Sequence, residues 1–148
     1  MAGANFMERA LAEAHRAAER DETPVGALVV RDGIVIAQAG NETRARNDPT
    51  AHAEMLAIRA ACAALGSERL TGCDLYVTLE PCAMCAAAIS FARIRRLYFG
   101  AIDPKGGAVD SGPRFFGQPT CHHVPEVYSG IGETASAALL REFFRQRR

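Results

Sequence analysis

Two short runs of the chain carry residue types that do chemistry together: Thr50-Ala51-His52-Ala53-Glu54 and Glu80-Pro81-Cys82-Ala83-Met84-Cys85. Cys82 and Cys85 are three residues apart, so at the start of a helix both sulfurs face one way and can grip one ion. A helix N-terminus carries partial positive charge, which lowers thiol pKa and favours the thiolate that a metal needs. His52 adds a nitrogen donor in the first turn of another helix. One imidazole and two thiolates form a borderline-soft set that suits Zn²⁺. The number of ligands decides the kind of site. Structural zinc is usually closed by four protein ligands, whereas catalytic zinc keeps a position for water. Zinc brings the pKa of such a water to about 7. Glu54, two residues beyond His52, can take the water's proton and hand it to a substrate nitrogen. The pattern reads as hydrolysis.

Neither run is decisive alone. Cys-x-x-Cys also serves redox chemistry, and His-x-Glu occurs in ordinary helices. Their combination, each opening a helix and one preceded by proline, carries the inference. Cys62 falls on an apolar helical stripe and Cys73 at a strand start, so both read as core. Cys121-His122-His123 is weighed as a second metal site and read as structural, because no matching cluster accompanies it.

The elements that must position these residues follow from periodicity and turn chemistry. Asn5 and Glu8 have capping-box spacing ahead of a helical repeat (Phe6, Met7, Ala10, Leu11, Ala14, Ala17) that runs to about Arg20. Val25–Arg31 and Ile34–Ala39 are apolar strands joined by an Asp32-Gly33 hairpin turn. Gly40–Pro49 is a loop, with Thr50 as the expected N-cap of a helix that Gly66 ends. Cys73–Leu79 is a buried strand, Cys82 to about Phe91 a helix, and Arg95–Ala101 a strand. Ile102–Val124 reads as a long functional loop, and His123–Tyr128 as a short edge strand. Thr134 opens a final helix with Ala138, Leu139, Phe143 and Phe144 turned inward. This order predicts one domain over residues 1–148 with a layered α/β fold. Its sheet is expected to be mostly parallel, with an antiparallel hairpin at its start.

With 148 residues, 49% hydrophobic and 23% charged, the chain has the make-up of a globular domain that needs no disulfides. Seventeen basic residues balance seventeen acidic ones, which excludes a wholly basic surface. Arg141, Arg145, Arg147 and Arg148 nevertheless crowd the last eight residues and are suited to phosphate, or simply to a solvated helix end. Five cysteines without a secretory or membrane-spanning segment point to a reducing cytoplasm and no membrane.

The His-x-Glu and Pro-Cys-x-x-Cys pair resembles the signature of zinc nucleobase deaminases. Asn41, Asn47–Glu54, Leu75–Cys85 and Arg93-Ile94 resemble the bacterial tRNA-specific adenosine deaminases. Pro24-Val25-Gly26-Ala27 and Phe143-Phe144-Arg145 resemble them too. The resemblance implies a three-layer α/β/α cytidine deaminase-like fold, with a five-stranded mixed sheet flanked by helices. By position it implies one Zn²⁺ per subunit on His52, Cys82 and Cys85, with Glu54 as proton shuttle. It further implies substrate contacts at Asn41, Val25, Ala53, Phe144 and Arg145, a homodimer, and a tRNA anticodon stem-loop as partner. The implied reaction converts a wobble adenosine to inosine with release of ammonia. The chain departs from the familiar pattern between Gly106 and Glu126, notably at Val109–Phe116 and Cys121-His122-His123. Substrate identity is therefore the open point. A free guanine or cytosine deaminase is the first alternative, and a non-catalytic RNA-binding subunit with structural zinc the second.

Overall fold

A computed structural model describes residues 2–147. Five strands form one sheet in the order β2-β1-β3-β4-β5. They are β1 (Gly26–Arg31), β2 (Ile34–Gly40), β3 (Cys73–Leu79), β4 (Arg96–Ala101) and β5 (Glu126–Tyr128). Asp32 and Gly33 both have positive φ, 51° and 74°, as a tight hairpin turn between β1 and β2 requires. β1 is antiparallel to both β2 and β3, whereas β3, β4 and β5 are parallel. The sheet is thus evenly mixed rather than mostly parallel. The crossover from β2 returns the chain beyond β1, so β3 runs with β2 and against its immediate neighbour.

Helix α1 (Ala2–Glu19) and helix α4 (Glu133–Gln146) pack on one face of the sheet. Helices α2 (Ala53–Leu65) and α3 (Ala83–Phe91) lie on the other. Strand alternation divides the core between the layers. Ala27, Val29, Leu75, Val77, Leu97 and Phe99 pack with α2 and α3, while Leu28, Val30 and Tyr76 meet Met7 and Ala10 of α1. α1 approaches closely because Gly26 has no side chain: a Cβ there would stand 2.0 Å from the Ala10 carbonyl oxygen. Thr78 ties the layers together in the middle. Its hydroxyl accepts the Gly26 N–H at 3.1 Å, and its carbonyl accepts the Ser136 hydroxyl of α4.

Three local expectations are corrected. α1 begins at Ala2, so Asn5 lies inside the helix rather than at its cap; Ala2 and Ala4 are strong helix formers. His52, not Thr50, is the N-cap of α2, because the Thr50 hydroxyl and N–H both donate to Asp48 in a turn of their own. On α4 the inward stripe is Ser136, Leu139, Leu140 and Phe143, whereas Ala138 and Phe144 are exposed. A 3.6-residue repeat places Phe143 two turns from Ser136 and rotates its neighbour Phe144 outward.

Candidate metal and active site

The candidate ligands come from two helix starts at the same edge of the sheet. His52 is the N-cap of α2, Cys82 is the N-cap of α3, and Cys85 lies in the first turn of α3. Both caps have extended backbone, with φ near −73° and −74°, which turns their side chains toward each other. His52 Nδ1 lies 3.6 Å from Cys82 Sγ and 3.6 Å from Cys85 Sγ. An ion held tetrahedrally, with nitrogen at about 2.05 Å and sulfur at about 2.3 Å, separates the two donors by about 3.6 Å. Both nitrogen-to-sulfur separations therefore match what one such ion needs, and all three donor atoms lie within 4.8 Å of one another. Among the described residues this is the one group of three or more that offers such a cluster.

The electrostatics agree with a cation site. Cys82 is held down at about 4, first by the Cys85 side chain and then by His52, despite burial. Cys85 is pushed up by the neighbouring Cys82 and by burial. His52 is raised by its contact with Cys82. Glu54 is almost fully buried, and burial pushes its carboxyl up to about 7. A carboxyl with pKa near neutrality can both accept and return a proton.

Beside this cluster lies a cavity of about 330 Å³. Val25, Asn41, His52, Glu54 and Cys82 line it, as do Thr23, Thr43, Leu79, Glu80, Asp103 and Gly106, which sequence reasoning did not assign to it. Asn41 donates from Nδ2 to Thr43 Oγ1 at 3.3 Å. The loop behind them is held by Glu22, a buried carboxylate accepting the N–H groups of Arg44 (3.2 Å) and Ala45 (2.8 Å). Ala53 lies elsewhere: it is fully buried in the core and is not among the lining residues. As the first residue of α2, it turns toward the sheet while His52 and Glu54 form the wall.

Phe144 and Arg145 are also absent from the wall. Phe144 is half exposed and meets Phe143 edge-on, and Arg145 is paired with Glu142 at 2.7 Å. Arg147 pairs with Asp21 and lies over the Phe143 ring at 3.6 Å; Arg148 lies outside the described residues. Cys121 and His123 do not gather a second metal cluster among the described residues. Cys121 bonds the His123 carbonyl, and His123 Nε2 donates to the Ile94 carbonyl at 2.7 Å, latching this loop to the end of α3.

Residues 2–101 match the model of the cytidine and deoxycytidylate deaminase zinc-binding region. The chain belongs to that deaminase family. Its members are hydrolytic enzymes. A tRNA-specific adenosine deaminase of Agrobacterium fabrum is 70% identical over 144 residues, covering 97% of this chain and 95% of the relative. A structure solved in work on A-to-I editing by tRNA:A34 deaminases superposes with a TM-score of 0.91 at 70% identity. It covers 92% of this chain and 99% of its own. A guanine deaminase from Nitrosomonas europaea superposes with a TM-score of 0.83 at 26% identity, over 95% and 83% of the two chains. The five-stranded deaminase fold is thus shared with enzymes acting on different bases.

Proposed function

We propose that this deaminase converts adenosine to inosine at the wobble position of tRNA, with one zinc ion per subunit on His52, Cys82 and Cys85. The observation that carries the substrate is the 70% identity to a tRNA-specific adenosine deaminase along nearly the whole chain. The donor set and the 3.6 Å separations support zinc. Bound there, zinc supplies Lewis-acid activation of the attacking water. Glu54 would take one proton from that water on its carboxylate and deliver it to the purine ring nitrogen, where it stays, and would then carry the proton of the new C6 hydroxyl to the departing amine. The C6–N bond breaks, ammonia leaves, and the new C6–O bond makes inosine. Asn41 and Val25 hold the flipped-out base in the cavity.

We read residues 1–148 as one domain, since a single sheet carries cores on both faces. A homodimer through the α2–α3 face is supported by Phe91, 74% exposed beside Ala88 and Ala92. All five cysteines are free, in keeping with a cytoplasmic enzyme, and among the described residues no helix is long and apolar enough to cross a membrane. Free guanine is the second reading, favoured by the Nitrosomonas fold likeness. Offering the purified protein an anticodon stem-loop with a wobble adenosine, alongside guanine and cytosine, decides between them. Inosine detected by mass spectrometry is the expected product. Xanthine or uracil with an untouched stem-loop overturns the reading.

A further inference from the structure

Glu80 sits between the end of β3 and the Pro81-Cys82 turn, 2% exposed, and lines the cavity. Its carboxylate is the hub of the segment where the chain departs from the familiar pattern. Oε1 accepts the Asp103 N–H at 2.9 Å and the Ser111 hydroxyl at 2.9 Å. Oε2 accepts the N–H groups of Val109 (3.0 Å), Asp110 (2.8 Å) and Ser111 (2.9 Å). Four of these partners are backbone N–H groups that can only donate, and the Ser111 hydroxyl donates as well, so the carboxyl group serves as acceptor on both oxygens.

The chain wraps tightly to reach it. Gly107 donates to the Asp103 carbonyl at 2.8 Å, and Ala108 donates to Pro81 at 2.9 Å. A Cβ on Gly107 would stand 2.4 Å from the Glu80 carboxyl carbon and 2.6 Å from the Asp103 carbonyl oxygen. Asp103 and Gly106, carried by this wrapped segment, form one wall of the cavity.

We infer that Glu80 is a positioning residue for substrate: its carboxylate clamps residues 103–111 to the turn that bears Cys82, setting the distance between the Asp103–Gly106 wall and the metal ligands. The clamp acts through the wall and not on the reacting atoms. The inference rests on the proposed site and deepens it by assigning the cavity's width to one buried anion. Glu80→Gln keeps the size of the side chain but replaces one acceptor oxygen with an amide donor, so part of the segment loses its anchor.

The test uses the zinc-containing protein as purified and reads amide exchange, metal content and steady-state deamination of the stem-loop. In Glu80→Gln, the amides of Asp103, Val109, Asp110 and Ser111 are expected to exchange about tenfold faster or more. KM is expected to rise about tenfold while kcat stays within about threefold, since the lost interaction places substrate and moves no proton. Zinc stays at its wild-type content, and Glu80→Asp recovers part of the KM. Unchanged exchange means that Glu80 holds nothing and overturns the inference. Faster exchange with unchanged KM, or a fall in kcat or zinc with KM intact, overturns it as well. If the wild-type protein leaves the stem-loop untouched, the tRNA reading fails, while amide exchange still reports the clamp and KM is taken on guanine. If Glu80→Gln does not fold, Gly107→Ala takes its place, because its methyl displaces the same wall with Glu80 intact. A wild-type KM in Gly107→Ala refutes the proposal.

Discussion

His52, Glu54, Cys82 and Cys85 come together because each lies at or near a helix start, where partial positive charge favours the thiolate form. Replacing Glu54 by Ala should leave zinc content unchanged and lower deamination by at least about 10²-fold, the usual range for losing a general acid–base group. Normal turnover would show that another group moves the proton. His52→Ala and Cys85→Ala should each deplete zinc, measured by elemental analysis, since two donors hold the ion far less well than three. These four residues were legible in the sequence because ligand spacing within a run is a local property. Glu80 and Glu22 stood in the same sequence without a visible role. Their partners lie more than twenty residues away, at Asp103 to Ser111 and at Arg44 and Ala45, and no local pattern announces such pairings.

Elements show the same division. The hairpin, the two ligand-bearing helices and the buried β3 follow from turn residues and periodicity, and they form nearly where expected. Close packing between them sets further conditions. Gly26→Ala drives a methyl into the backbone of α1 and should destabilise the fold by about 2–3 kcal/mol, read from urea denaturation. An unchanged midpoint would mean that α1 does not press on β1. At the end of α4, Arg147 reaches Asp21, which also pairs with Arg44 near the cavity loop. Arg147 first, and then Arg44, hold the Asp21 carboxyl below its ordinary value of 3.8. A carboxyl depressed in the fold stabilises it above that ordinary value and loses the contribution as pH falls through the depressed one. The Arg147 side-chain NMR signal should therefore shift on acidification below pH 3.8, and Asp21→Asn should abolish that shift. A shift that persists in the variant would assign the tether to another group.

For the whole molecule, neutral net charge with four arginines gathered in the last eight residues makes salt a direct probe of the substrate. Between about 50 and 200 mM salt, deamination of an anticodon stem-loop should fall steeply, because phosphate contacts release counterions. A flat response would argue for a free base. Arg145 and Arg147 are already paired with Glu142 and Asp21, so exchanging Arg141 for Ala should reduce the salt slope more than exchanging Arg145. Residue types and short-range spacing alone singled out the His52, Cys82 and Cys85 cluster with Glu54 beside it, the reaction class and most element boundaries, since each depends on neighbours a few positions apart. Tertiary structure decided what depends on distant segments meeting. It placed β3 beyond β1 to make the sheet evenly mixed, and it buried Ala53 behind the wall it was expected to form. It turned Phe144 away from the body of the protein and wrapped residues 103–111 around Glu80. Hydrogen bonds and burial across tens of residues have no periodic trace in a sequence, and the width of the substrate cavity is built from them.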